Sequence, residues 1–196
     1  MILVKTSTLA LPEAEEPETG NSSAFFEIDT DKNPDLVPFK VGNLTRVIGD
    51  ILPGRTKHYY SDGNFNIMKL IFHLIKQIGP SHILLSTYSI SQTTLEQIQS
   101  RIDKREILSI RFIIDNRVKV MSPKPFQLLE ESFPYSCISL HAKVALIWNQ
   151  DWNLTIVTSQ NATDNPKLER GVIFTDKTIF DYDKSVLENA FDRGTD

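Results

Sequence analysis

The stretch Ser139 to Asn161, SLHAKVALIWNQDWNLTIVTSQN, decides how this chain is read. Two apolar runs flank a turn at Asn149-Gln150-Asp151, with Trp148 and Trp152 at its edges. Side chains alternate faces along a strand. His141 and Lys143 therefore share one face, while Leu140, Ala142, Val144 and Leu146 share the other, which is apolar and expected to be buried. A turn closing symmetrically on Gln150 sets Trp148 opposite Trp152 and His141 opposite Ser159. A bulge or a different loop would shift that register. On the symmetric register His141, Lys143 and Ser159 form one patch, which Asn161 continues past the strand end. An imidazole, a cation, a hydroxyl and an amide converging there suit a phosphate.

The rest of the chain gives that hairpin a setting. At 196 residues it is long enough for one domain with a substantial core. Hydrophobic residues at 40% and charged residues at 23% describe an ordinary soluble protein. No apolar run approaches the roughly 20 residues a membrane-spanning helix needs. The start, MILVKTSTLALPEAEEPE, turns acidic too soon for a signal peptide. Cys137 is the only cysteine, which excludes an intramolecular disulfide and fits a reducing cytoplasm. A net charge of −4 argues against a broad electrostatic grip on nucleic acid, though a local basic groove stays open.

Residues 1–40 are acidic and aperiodic, and read as a weakly ordered arm with a strand at Ala24 to Ile28. The arm is either solvated or laid across a basic groove. Residues 41–196 form the domain. Apolar residues at Ile67, Leu70, Ile71, Leu74, Ile75 and Ile78 predict a helix that Gly79-Pro80 ends. Ile83 to Tyr88 predicts a buried strand, and Thr93-x-x-Glu96 a capping box for a second helix reaching about Ile102. A strand at Leu108 to Ile114, a short helix at Phe126 to Glu131, the hairpin, a strand at Gly171 to Phe174 and a helix from Ile179 to Phe191 complete the pattern. The fold class is α/β: a mixed sheet flanked by helices on both faces. The cluster Arg55-Thr56-Lys57-His58-Tyr59-Tyr60 is either a base-stacking, phosphate-contacting surface or a solvated loop with core tyrosines.

His141-x-Lys143, then Thr158-Ser159-x-Asn161 and Asn165-Pro166-Lys167-Leu168-Glu169, resemble the signature of the phospholipase D superfamily, H-x-K-x4-D-x6-G-S-x-N with a downstream acid. Ser61-Asp62-Gly63, Gly79-Pro80 and Leu85 to Ser91 also resemble its bacterial members, so the likeness spans roughly residues 50–190. The sequence departs from the pattern twice. Trp148 stands where the family has Asp, with Asp151 at the spacing counted back from Thr158, and Thr158 replaces the Gly.

The resemblance implies a phospholipase D-like fold and a metal-independent phosphodiesterase of nuclease type. It makes His141 the nucleophile, with Lys143, Ser159 and Asn161 on the phosphate oxygens and Glu169 orienting His141. Glu169 could instead pair at the surface with Lys167 or Arg170, and Asn161 could cap its loop. Neutral imidazole is a competent nucleophile at neutral pH. No metal or cofactor is expected, since these groups stabilise the charge directly. A leaving oxygen needs a proton and water later needs a base, so a second His is required. His58, His73 and His82 have no Lys two residues on. A homodimer would supply the second motif. The expected partners are a second copy and nucleic acid, with no membrane. The competing expectation is an inactive module of the same fold that binds nucleic acid or protein.

Overall fold

Helices and strands alternate along the chain, which the computed structural model describes over residues 23–28 and 44–194. Strand β1 (Ser23–Ile28) is followed by a short helix α1 (Leu44–Ile48), strand β2 (Thr56–Asp62) and helix α2 (Ile67–Ile78). Then come β3 (Ser81–Thr87), α3 (Gln92–Asp103), β4 (Ile107–Asp115), α4 (Val118–Met121), α5 (Pro123–Ser132) and β5 (Tyr135–Ile138). The hairpin strands are β6 (Val144–Trp148) and β7 (Asn153–Thr158), and β8 (Leu168–Phe174) and α6 (Lys177–Arg193) follow. β1 realises the strand expected at Ala24 to Ile28. The remainder of the acidic arm lies outside the described residues.

The strands form one mixed sheet of eight, in the order β1-β2-β8-β7-β6-β3-β4-β5. β3, β4 and β5 are parallel neighbours, and the other pairs are antiparallel. Runs such as Ile83-Leu84-Leu85 and Phe112-Ile113-Ile114 are apolar without alternation because both faces are covered. Ile83, Leu85, Phe112 and Ile114 join the larger core, with α1, α2, α3 and α5. Leu84, Ile113 and Leu146 meet Phe180, Leu187 and Ala190 of α6 on the other side.

α2 forms where the periodicity placed it. The Asn66 side chain caps its start by accepting the Lys69 N–H at 2.9 Å. Gly79, at φ 90°, turns the chain out at its end, a conformation that favours glycine. α3 starts differently from its expected capping box. Its cap is Ser91, whose Oγ accepts the Thr94 N–H at 3.2 Å. The Ser91 N–H and Thr94 Oγ1 both reach Ala162 O, so a tertiary anchor selects the cap.

The loop in the reading of residues 55–60 is corrected: Thr56 to Tyr60 lie in strand β2, with Tyr59 in the core as that reading had it. The strand's sequence, TKHYYSD, hides the pattern because Lys57 and Ser61 point inward with Tyr59. Lys57 Nζ donates to Ile48 O at 2.9 Å, which makes its burial tolerable. Alternation therefore leaves this cluster half in the core rather than as one open basic surface.

The hairpin register also differs from the symmetric one. Asn149 Oδ1 accepts the N–H groups of Asp151 and Trp152, each at 2.9 Å, while the Asn149 N–H donates to Trp152 O at 3.0 Å. Asn149 and Trp152 thus close a two-residue loop, pairing Trp148 with Asn153 and Val144 with Val157. A slip of one residue exchanges the faces of the returning strand. Trp148 joins the α6 side, stacked on His82 at 5.6 Å, and Trp152 packs into the opposite core. They are not a cross-strand pair. Ala142, expected on the buried face, is exposed.

Candidate active site

The residues singled out in the sequence gather at one end of the sheet. The parallel strands β3, β4 and β5 finish there, β6 and β8 begin there, and β7 ends there. Ligands in open α/β sheets bind outside the carboxyl ends of such strands.

His141, Ala142 and Lys143 form an extended segment just before β6, and three anchors fix its backbone. Ser86 Oγ lies 3.3 Å from Ala142 O and accepts the Val144 N–H at 3.0 Å. The Thr158 N–H donates to Lys143 O at 3.0 Å. The Leu140 N–H donates to Asp115 Oδ2 at 2.9 Å. The His141 side chain is exposed, and its ring meets the edge of Tyr88 at 6.0 Å between centroids.

Lys143 is only 8% exposed, and its Nζ donates to His141 O at 2.9 Å. That bond uses one of three ammonium donors. The same Nζ lies 5.7 Å from the Tyr88 centroid. Burial pushes the Lys143 pKa down, and the charge of Glu169 opposes that shift. A desolvated cation gains more from an incoming anion than a solvated one does.

The return strand supplies the other groups. Ser159 Oγ donates to Glu169 Oε2 and accepts the Arg170 N–H at 3.0 Å. Asn165 Nδ2 donates to Glu169 Oε1 at 2.8 Å. Both carboxylate oxygens of Glu169 thus serve Ser159 and Asn165, while its charge acts on Lys143. Asn161 Oδ1 is a buried acceptor with no hydrogen-bond partner among the described residues. Its neighbours hold it in place: Gln160 Nε2 donates to Phe65 O, and the Ala162 N–H lies 3.2 Å from both Thr87 Oγ1 and Ser89 O. The structure places His141, Lys143, Ser159, Asn161 and Glu169 at this end of the sheet, with Lys143 bonded to His141 O and Glu169 bonded to Ser159. Direct opposition of His141 and Ser159 is replaced by the pairing of Lys143 with Thr158, a consequence of the Asn149 turn.

Sequence reasoning missed three residues here: Tyr88, Asp115 and Arg117. The available signal was a charged pair directly after a wholly apolar strand end, at Asp115-Asn116-Arg117. Arg117 grips Asp115 through Nε at 2.7 Å and Nη2 at 3.2 Å. Hydrogen bonding from the Arg117 side chain outweighs burial and lowers the Asp115 pKa from 3.8 to about 2. A carboxylate whose folded-state pKa is depressed contributes stability above its unfolded pKa and loses it as pH falls through the folded one. Wild-type stability should therefore drop between about pH 4 and pH 2, and Asp115→Asn should cost ~2 kcal/mol at neutral pH while flattening that drop. Thermal melts across pH read both effects.

Neither a protein-family model nor a curated protein matches this sequence. Solved structures do. Nuc from Salmonella typhimurium, a phospholipase D family member, aligns with a TM-score of 0.52 at 16% identity, over 65% of this chain and 88% of that one. NucT from Helicobacter pylori aligns with a TM-score of 0.53 at 15% identity, over 71% of this chain and 98% of that one. The chain therefore has a phospholipase D-like fold. A part of polyphosphate kinase from Porphyromonas gingivalis shares it, with a TM-score of 0.52 at 12% identity, over 72% of this chain and 26% of that one.

On this phospholipase D-like frame the two departures from the motif have local explanations. Trp148 fills the α6 side, with Phe180 at 6.0 Å and Lys184 Nζ 4.6 Å from its centroid. Asp151 is an exposed turn residue and takes up no buried post. The buried carboxylate beside the His141 segment comes instead from β4, as Asp115. Thr158, in the glycine position, directs its Oγ1 to Arg170 O at 3.1 Å and lies 3.1 Å from the Tyr59 hydroxyl. Two other histidines serve locally: His82 Nδ1 meets Ser109 Oγ at 2.7 Å, and His73 pairs with Gln77.

Proposed function

We propose that the chain is a metal-independent phosphodiesterase of nuclease type, acting through a phosphohistidine on His141 in a site completed by a second copy. The observation that carries this reading is an exposed imidazole whose backbone is tied to a buried ammonium, Lys143. In the first step a ring nitrogen of His141 attacks phosphorus, and the bond to the leaving oxygen breaks. The partner's His141, as imidazolium, gives that oxygen its proton. Water then attacks phosphorus, yields its proton to the partner's imidazole, and the P–N bond breaks. Lys143 offsets the charge on the nonbridging oxygens in both transition states. Ser159 and Asn161 would orient the phosphate, and Glu169 holds Ser159 in position.

The bond from Ser159 to Glu169 favours a second reading, an inactive module that binds nucleic acid or protein. It leaves that hydroxyl engaged within the chain. Turnover of a chromogenic phosphodiester and of plasmid DNA in excess chelator separates the two. The first reading expects cleavage by a dimer in solution, with activity falling on dilution as the dimer dissociates. Binding without turnover supports the second. Activity from a strict monomer removes the shared site.

A further inference from the structure

We propose that Arg117, laid on Tyr88 beside His141, forms a subsite for a nucleobase next to the reacting phosphate. The placement of that phosphate rests on the reading of His141 given above. The Arg117 guanidinium carbon lies 4.6 Å from the Tyr88 centroid, and the same ring meets His141. Two of its nitrogens fork onto Asp115, which also holds the backbone of Leu140, the residue before His141. The guanidinium is thus held against the backbone that carries His141.

The chemistry of the guanidinium plane points to a flat ring rather than a second phosphate. The Nε–Nη2 edge of Arg117 already holds a carboxylate, whose charge offsets its own and weakens its pull on a second anion. What remains open is surface: its side chain is 60% exposed. Guanidinium planes stack on bases. Beside it, α4 presents Val120 and Met121 at 84% and 66% exposure, and the Tyr88 hydroxyl touches Met121 Sδ at 3.8 Å. A base on Arg117 would cover this apolar lip, which a phosphate would leave wet. Stacking also suits a chain whose net charge of −4 limits affinity from counterion release.

The test uses the full chain carrying His141→Ala, so that nothing is cleaved during titration. A short fluorescent single-stranded oligonucleotide is compared by anisotropy with a counterpart of equal length lacking its bases. Adding Arg117→Ala or Tyr88→Leu should weaken the base-bearing probe about 5- to 150-fold more than the abasic probe. Arg117→Lys, which keeps the charge and loses the plane, should behave like Arg117→Ala. Equal losses on both probes, rescue by lysine, or no loss would each overturn the subsite. Turnover of a chromogenic aryl phosphodiester by the wild type is measured alongside. Its absence with base-dependent binding intact removes the phosphodiesterase reading alone, and normal turnover without base dependence removes the subsite alone.

Discussion

His141→Ala should lower phosphodiester hydrolysis by about 10,000-fold or more, with no change in the melting temperature beyond that of an ordinary surface substitution. The two halves of this expectation have separate causes. His141 is exposed, and among the described residues its ring has one contact of note, the edge of Tyr88. Removing it opens no cavity and leaves no buried partner unmatched. On the proposed mechanism the chemical loss is large, because one residue would serve both roles in a twofold site, nucleophile in one copy and acid and base in the other. The substitution deletes both at once. Steady-state rates in chelator and a thermal melt on the same preparation check it. Retention of a tenth of the rate would remove His141 from the reaction.

Gly171→Ala should be among the most destabilising single changes available, at about 3 kcal/mol, because a buried ring leaves it no space. Gly171 lies directly opposite Tyr59 in the β2–β8 pair. A Cβ there would come within 2.3 Å of the Tyr59 Cζ and hydroxyl oxygen and 2.6 Å of Cε1. Tyr59 cannot move aside, since it is fully buried, its ring is 5.6 Å from Phe65, and its hydroxyl donates to Gln160 Oε1 at 2.9 Å. Burial has pushed that hydroxyl's pKa well up, so it stays a donor at any ordinary pH. For a domain of this size the melting temperature should fall by about 6–12 °C. The damage should reach the site, because Gln160 stands between Ser159 and Asn161. Combining the change with Tyr59→Ala, which removes the clash, should give a smaller total than the two losses added. Additive losses, or a neutral Gly171→Ala, would show that the strand pair has room to spare.

Elements with a strong local pattern were legible in the sequence. α2 shows helical spacing and carries both its capping Asn66 and its terminating Gly79, so nothing outside it was needed to find it. β3 and β4 announce themselves by the apolar runs Ile83-Leu84-Leu85 and Phe112-Ile113-Ile114. β2 and β5 did not, because their buried positions hold Lys57, Ser61, Ser136 and Cys137, whose polar members are satisfied by bonds to backbone carbonyls outside their own strands. Ser136 Oγ, for one, donates to Phe191 O across 55 residues of chain. Periodicity carries no trace of such a partner.

The candidate site divides in the same way. That His141 and Lys143 stand two apart in an extended segment, with Ser159, Asn161 and Glu169 on the return, is covalent order, and chain order alone sufficed to nominate them. Their spatial relation was another matter. The amide of Asn149 closes the turn around two residues, and that one hydrogen-bonding choice moves the register by a step. Tyr88 and Arg117 arrive from β3 and β4, which are remote in sequence and adjacent only because the sheet places parallel strand ends side by side. Sequence by itself determined the chemistry available and the strand that bears it. Tertiary structure decided which groups meet, which charge is desolvated and which plane lies open, since those depend on packing between segments that share no local code.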